Sequence, residues 1–307
     1  MTISDFIEEL KQKEIEVSYS AGKLKYSGPE EHITPELIEK LKKNKGKLIK
    51  YFLPKEGTNI MPLNTEGNKP PLFLIHGDAA NYILSDYLGP DQPVYGFFHP
   101  GSNGEAICFK SVKKMAKAYL DQVFTINPVG PYYLGGFSFG GILAFEMAIQ
   151  LQKSGHEVPF LALIDCISPF AHEPIKWHSN LFKIIRSNIL GPVKRKVIRF
   201  VKLSICKSFT IMKKPIPIRW RKFNMWEKYK KLFSKYKVEK FNGNILLFKA
   251  GENLSSYNYL GWETLVNEIN MFVIDGKHTD IFENKKSVDI LKTEFKKHLD
   301  DVKKAKE

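Results

Sequence analysis

Five residues, Gly136-Phe137-Ser138-Phe139-Gly140, place a serine between glycines two positions before and two positions after it. That G-x-S-x-G spacing suits a nucleophile that must stand proud of a sheet on a strained turn, where flanking side chains would clash. A serine hydroxyl is a poor nucleophile near neutral pH. It needs an imidazole to take its proton and a carboxylate to fix the imidazole tautomer. His278 is the candidate base, in Ile274-Asp275-Gly276-Lys277-His278-Thr279-Asp280. Two acids compete for the third role. Asp165 follows the apolar run Phe160-Leu161-Ala162-Leu163-Ile164, and Glu252 follows Ile245-Leu246-Leu247-Phe248. Residue types and spacing leave that choice open. Asp275 and Asp280 are close enough to support the histidine from behind. The chemistry these residue types suit is nucleophilic attack by the serine with the imidazole as base. The N–H of Phe139, opening the next helix, faces the developing oxyanion.

The elements that must position these groups follow from the apolar pattern. Leu72-Phe73-Leu74-Ile75, Val94-Tyr95-Gly96-Phe97-Phe98, Tyr132 to Phe137, Phe160 to Ile164, Ile245 to Phe248 and Met271-Phe272-Val273-Ile274 read as buried strands. Val112, Met115, Ala116, Tyr119, Leu120 and Val123 mark an amphipathic helix. Ile142 to Leu151 gives another, and a last one is expected from about Val288 to Leu299. Strands alternating with helices make an α/β fold, a doubly wound, mostly parallel sheet. Its reactive groups lie past the carboxyl ends of the strands. Ser138, Asp165 and His278 all obey that rule, in the chain order of an α/β-hydrolase. His76, ending the first of these strands, is expected to be structural. His32, His99, His156, His172, His178 and His298 are expected at the surface.

Residues 1–53 read as a small independent α+β module. Ile3, Phe6, Ile7 and Leu10 recur at helical spacing. Ile15, Val17 and Tyr19, then Leu24 and Tyr26, alternate with polar residues as in a hairpin. Thr34-Pro35-Glu36-Leu37 is a strong helix start, and Leu37, Leu41, Leu48 and Phe52 give that helix its buried side. Residues 54–70 read as a linker.

Two resemblances sharpen this. The first 52 residues or so, a short helix, a hairpin ending Gly-Lys-Leu-Lys-Tyr and then Ile-Thr-Pro-Glu-Leu-Ile-Glu-Lys-Leu-Lys, resemble the TubC-type docking domains of nonribosomal peptide synthetases. That resemblance implies capture of an acidic C-terminal tail of an upstream synthetase subunit as an added strand, with Lys23 and Lys25 as charge partners. Residues 60 to 300 resemble the thioesterase domains of nonribosomal peptide and polyketide synthetases. The matching stretches are Pro70 to Gly77, Leu88 to Gly96, Gly130 to Gly141, Leu161 to Asp165, and Gly261-Trp262 before His278.

The second resemblance implies a thioesterase domain over residues 71–303 with a lid at about 170–240. It favours Asp165, 27 residues past the serine, as the acid. It implies an acyl or peptidyl chain delivered on the phosphopantetheine arm of a carrier protein. The first-strand loop departs from the family's His-Pro-x-Gly-Gly, reading His76-Gly77-Asp78-Ala79-Ala80. The second oxyanion donor is therefore expected at Asp78 N–H, with Ala79 beside it. No carrier domain is expected within these residues, so the docking module implies recruitment in trans. An editing thioesterase or esterase, and a docking adaptor with a vestigial hydrolase domain, are the competing readings.

Charge is concentrated in one place. Residues 176–240 hold 20 Lys and Arg against two Glu, a larger excess than the chain's +14, so the remainder is net acidic. In the lid, Val193, Val197, Val201 and Ile205 recur every four residues among Lys194, Arg195, Lys196, Arg199 and Lys202. Their apolar side is expected to line the acyl channel and the basic sides to attract an acidic carrier. A basic amphipathic helix also suits a membrane surface. No nucleic-acid motif is present. No apolar run reaches the roughly 20 residues of a membrane span. Cys108, Cys166 and Cys206 form no disulfide framework or metal pattern. No metal or cofactor of its own is expected, nor stable membrane insertion, and the expected compartment is the cytoplasm.

Overall fold

The computed structural model describes residues 3–20, 23–51, 58–77, 79–102, 104–169, 191–253, 255, 257–278 and 281–304. The small module comes first: α1 (Ile3–Gln12), β1 (Glu16–Ser20), β2 (Lys23–Ser27), α2 (Pro35–Lys43) and α3 (Lys45–Tyr51). The hairpin is antiparallel and in the register its alternation predicts. Val17 faces Tyr26 and Tyr19 faces Leu24, while Ser18 faces Lys25 and Ser20 faces Lys23. Helix α2 starts as its sequence dictates. Pro35 takes the first position, and the Thr34 hydroxyl accepts from Leu37 N–H at 3.3 Å. The single helix expected here is two, because Asn44 caps α2 with its N–H on Lys40 O before α3 begins. Phe52 lies outside the described residues.

The large domain adds β3 (Ile60–Asn64), β4 (Leu72–Ile75), α4 (Ala79–Leu88), β5 (Val94–Phe97), α5 (Val112–Ile126), β6 (Tyr133–Phe137), α6 (Phe139–Lys153) and β7 (Phe160–Ile164). After these come α7 (Gly191–Ile211), α8 (Ile218–Phe233), β8 (Ile245–Ala250), β9 (Ile269–Ile274) and α9 (Lys285–Lys304). The sheet has seven strands in the order β3-β5-β4-β6-β7-β8-β9. Within this sheet, among the described residues, the β3–β5 pair alone is antiparallel.

The strands are apolar on both faces because both faces are covered. In β4, Phe73 and Ile75 join the core under α5 and α6, whereas Leu72 and Leu74 join the one under α4 and α9. Burying each such side chain contributes about 1.5–3 kcal/mol. All six apolar residues expected on the inner face of α5 are buried there.

Two expectations need correction. Part of the linker, Ile60–Asn64, is the edge strand β3. The strand is short and carries Pro62, opposite Tyr95, with a register shift between Pro62 and Asn64, which an edge position tolerates. The N-terminal module also shares a core with the large domain. Met61 and Phe98 are buried in one cluster with Phe6, Ile7, Leu10, Ile15, Leu37, Leu41 and Leu48, with Tyr82 of α4 against it. The sheet edge needs apolar cover, and the module supplies it.

Candidate active site

The elbow forms because nothing but glycine fits around it. A Cβ on Gly140 would lie 2.1 Å from Ile75 O and 2.7 Å from His76 Cβ, and one on Gly136 would lie 2.3 Å from Gly140 O. Both approaches are to backbone, so neither can be relieved by a rotamer change. Ser138 between them has φ 56° and ψ −122°, a conformation that L-residues adopt only under constraint. Its N–H donates to Ile164 O at 2.9 Å and its carbonyl accepts from Gly141 N–H at 3.0 Å, which pins the turn to β7 on one side and α6 on the other. Gly140→Ala should lower unfolding free energy by about 3 kcal/mol or more, read as the midpoint shift in urea; an unshifted midpoint would mean that the turn relaxes freely.

Asp165 follows β7, and its side chain is fully buried. Its own φ is 42°. Its N–H donates to Phe248 O at 2.7 Å, tying the turn to β8. Three donors meet the carboxylate. Oδ1 accepts from Ala250 N–H at 3.0 Å and from Asn253 Nδ2 at 2.7 Å. Oδ2 lies 2.6 Å from His278 Nδ1. A carboxylate only accepts, so Nδ1 carries the proton and the neutral ring presents its lone pair at Nε2. The imidazole is steadied on its face by Phe137, with ring centroids 4.8 Å apart at 17°, and Phe282 packs edge-on against Phe137.

The competing acids sit elsewhere. Glu252 is largely exposed and lies 3.8 Å from Lys277 Nζ. Asp275 contributes its backbone carbonyl to Ser287 Oγ at 2.6 Å. Asp280 and Asp78 lie outside the described residues, as do His172 and His178.

Phe139 opens α6, where an N–H has no intrahelical acceptor. Its ring is clamped. Tyr229 of α8 stacks on it at 4.3 Å and 13°, and His76 lies parallel at 6.2 Å. His76 is buried, with Nε2 2.7 Å from the Tyr119 hydroxyl. Burial first, and then the neighbouring His99, hold it well below the ordinary 6.5. Its ring is therefore neutral near pH 7.

His99 is half-buried rather than at the surface. Its ring stands 4.1 Å from that of His76, and its Nδ1 is 3.1 Å from the Tyr229 hydroxyl. These contacts join α8 to the elbow. Arg221 locks the start of α8, donating to Ile216 O at 2.8 Å and Ser102 O at 2.9 Å.

Sequence reasoning missed Asn253 and the stacking role of Phe137. The signal for the first was weak: a loop after a strand, one residue beyond an acid that drew the attention. Phe137 was visible as the variable position of the elbow, but only the fold brings His278 over it.

Residues 77–182 match the family model for the thioesterase domain, and residues 3–53 match that for the TubC N-terminal docking domain. Two family models thus match successive stretches of the chain, the docking domain first and the thioesterase domain after it. It is 35% identical over 201 residues to malpibaldin synthetase of Mortierella alpina, a match covering 62% of this chain and 3% of that protein. The chain thus spans a small part of the curated relatives it matches. Its fold is similar to that of the NocB thioesterase domain, with a TM-score of 0.55 at 22% identity over 76% of this chain and 98% of that one. It is also similar to part of a four-domain nonribosomal peptide synthetase bound to AMP and glycine, with a TM-score of 0.59 at 22% identity over 81% and 21% of the two chains. The fold is that of these thioesterase domains, a mostly parallel sheet of the α/β-hydrolase kind. Among the described residues, no helix is long and apolar enough to cross a membrane.

Proposed function

We propose that this chain is a serine thioesterase that releases an acyl or peptidyl chain from the phosphopantetheine arm of a carrier protein. The observation that carries the reading is the buried Asp165 carboxylate, held by two donors and turned toward His278 at 2.6 Å. It supports a general base beside a serine on a strained elbow. His278 Nε2 takes the Ser138 proton as Oγ attacks the thioester carbonyl. The N–H of Phe139 and that of Asp78 receive the oxyanion. The C–S bond breaks, the pantetheine thiol leaves with the proton from His278, and an acyl-Ser138 ester remains. Water, activated by the same histidine, then releases the acid. An internal hydroxyl or amine of the chain would instead release a ring. Hydrolysis is the expected route, because it needs no pocket shaped for an internal nucleophile.

The test is intact-protein mass spectrometry after mixing with acyl thioesters of pantetheine. A transient adduct of the acyl mass followed by free acid supports the reading. Neither adduct nor turnover, with a carrier-bound substrate as well, overturns it.

Recruitment in trans is the second part of the proposal. The docking hairpin offers an antiparallel edge for an added strand, and Lys23 and Lys25 alternate along β2 with Leu24 and Tyr26. An acidic tail laid along it would gain both ladder bonds and charge pairs. Lys23→Glu with Lys25→Glu should weaken binding of an acidic C-terminal peptide about tenfold at low salt. Fluorescence anisotropy reads this, and equal affinity would move the docking surface away from β2.

A further inference from the structure

The lid does not bury its apolar stripe. Val197, Phe200 and Val201 of α7, then Ile211, Met212 and Ile218, are exposed, Phe200 by 71%, Ile211 by 70% and Ile218 by 62%. This corrects the expectation that Val197 and Val201 line the acyl channel. The reason lies on the opposite face of α7, which is already occupied. Cys206 is buried, Arg199 pairs with Glu227 of α8 at 2.5 Å, and Lys202 Nζ sits 5.3 Å and 5.5 Å from the ring centres of Trp220 and Phe223. Helix α8 takes that side, so the stripe at 197, 200, 201 and 211 must face outward.

The surrounding charge is of one sign. Between 191 and 222 there are eleven Lys and Arg and no Asp or Glu. Lys207, Lys213 and Lys214 are exposed next to the stripe. A stripe of large apolar side chains with a cationic border matches a helix lying in the plane of a lipid–water interface. A second copy of this chain would bring the same cations together. An acidic protein would answer the charge but would also have to offer apolar surface along the stripe. An anionic bilayer offers both over its whole area.

We propose that α7 and the turn into α8 form a peripheral docking surface for an anionic membrane. Phe200, Ile211, Met212 and Ile218 enter the headgroup boundary, and Lys207, Lys213 and Lys214 meet lipid phosphates. The contact is adsorption, consistent with the absence of a spanning helix among the described residues. It does not depend on the thioesterase reading.

The test is co-sedimentation of the full chain with phosphatidylcholine vesicles, with and without phosphatidylglycerol. The expected result is binding to the anionic vesicles only, weakened about tenfold as salt rises from near 0.1 M to near 0.5 M. Phe200→Glu with Ile211→Glu should abolish it, and Lys207→Glu with Lys214→Glu should weaken it about tenfold or more. All four side chains are exposed, and circular dichroism checks that both variants fold. No binding to anionic vesicles overturns the proposal. Binding that ignores Phe200→Glu with Ile211→Glu also overturns it, by reducing the contact to charge alone. If a purified acidic carrier protein binds instead, and that double variant releases it, the face belongs to the carrier and the proposal fails.

Discussion

Ser138→Ala is expected to leave a folded protein that forms no acyl adduct and to lose about 10⁴- to 10⁶-fold in turnover of an acyl-pantetheine thioester. The size of the loss follows from what the serine does. With Oγ gone there is no atom within the turn to carry the acyl group, and what remains is binding and whatever the oxyanion donors contribute. The fold should not suffer. Ser138 is held through its main chain, by the N–H to Ile164 O and the carbonyl to Gly141 N–H, and alanine keeps both. The positive φ of 56° is no harder for alanine than for serine. Intact mass, turnover and thermal melting therefore separate the outcomes. An adduct or unchanged turnover in the variant would place the nucleophile elsewhere.

Asp165→Asn should cost about 10⁴-fold in kcat/KM near neutral pH with little change in the melting temperature. The hydrogen bonds dictate why. Ala250 N–H and Asn253 Nδ2 both donate to Oδ1. An asparagine placed there must present its carbonyl oxygen to them. Its NH₂ then faces His278 Nδ1 in place of the carboxylate oxygen now at 2.6 Å. A donor in that position forces Nδ1 to accept, so the proton moves to Nε2, and the base is lost for the serine. Asn253→Ala tests the same logic from the other side, since it removes one of the two donors that set the carboxylate's orientation. If Asp165→Asn keeps full activity while Glu252→Gln is inactive, the acid of the site is Glu252 and the hydrogen-bonding argument is wrong.

Much of the candidate site was legible in the chain. The elbow is a local device. Gly136 is required by the backbone of Gly140, four residues on, and Gly140 by Ile75 at the end of the neighbouring strand, so the spacing carries the turn. The apolar runs on both sides of the sheet, Phe73 and Ile75 against Leu72 and Leu74, told of a sheet covered twice. The Thr34-Pro35 helix start and the alternation of the hairpin are short-range effects too, and they hold at the register and the cap.

Relations between distant residues needed the tertiary structure. The acid that meets the base was ambiguous in sequence, since Asp165 and Glu252 both follow strands. The fold brings Asp165 to 2.6 Å from His278 Nδ1 and leaves Glu252 exposed beside Lys277, which favours Asp165. His99 lies in what reads as a loop, and only the approach of α8 makes it half-buried. The stretch 60–64 is short and broken by Pro62 between polar loops, so it reads as linker, yet an edge strand needs one paired side only. The four-residue period of α7 told which residues share a face, but not which face would be covered. Local patterns follow from backbone sterics and side-chain alternation, which act over a few residues. Which surfaces meet depends on the packing of elements far apart in the chain, and no local period encodes it.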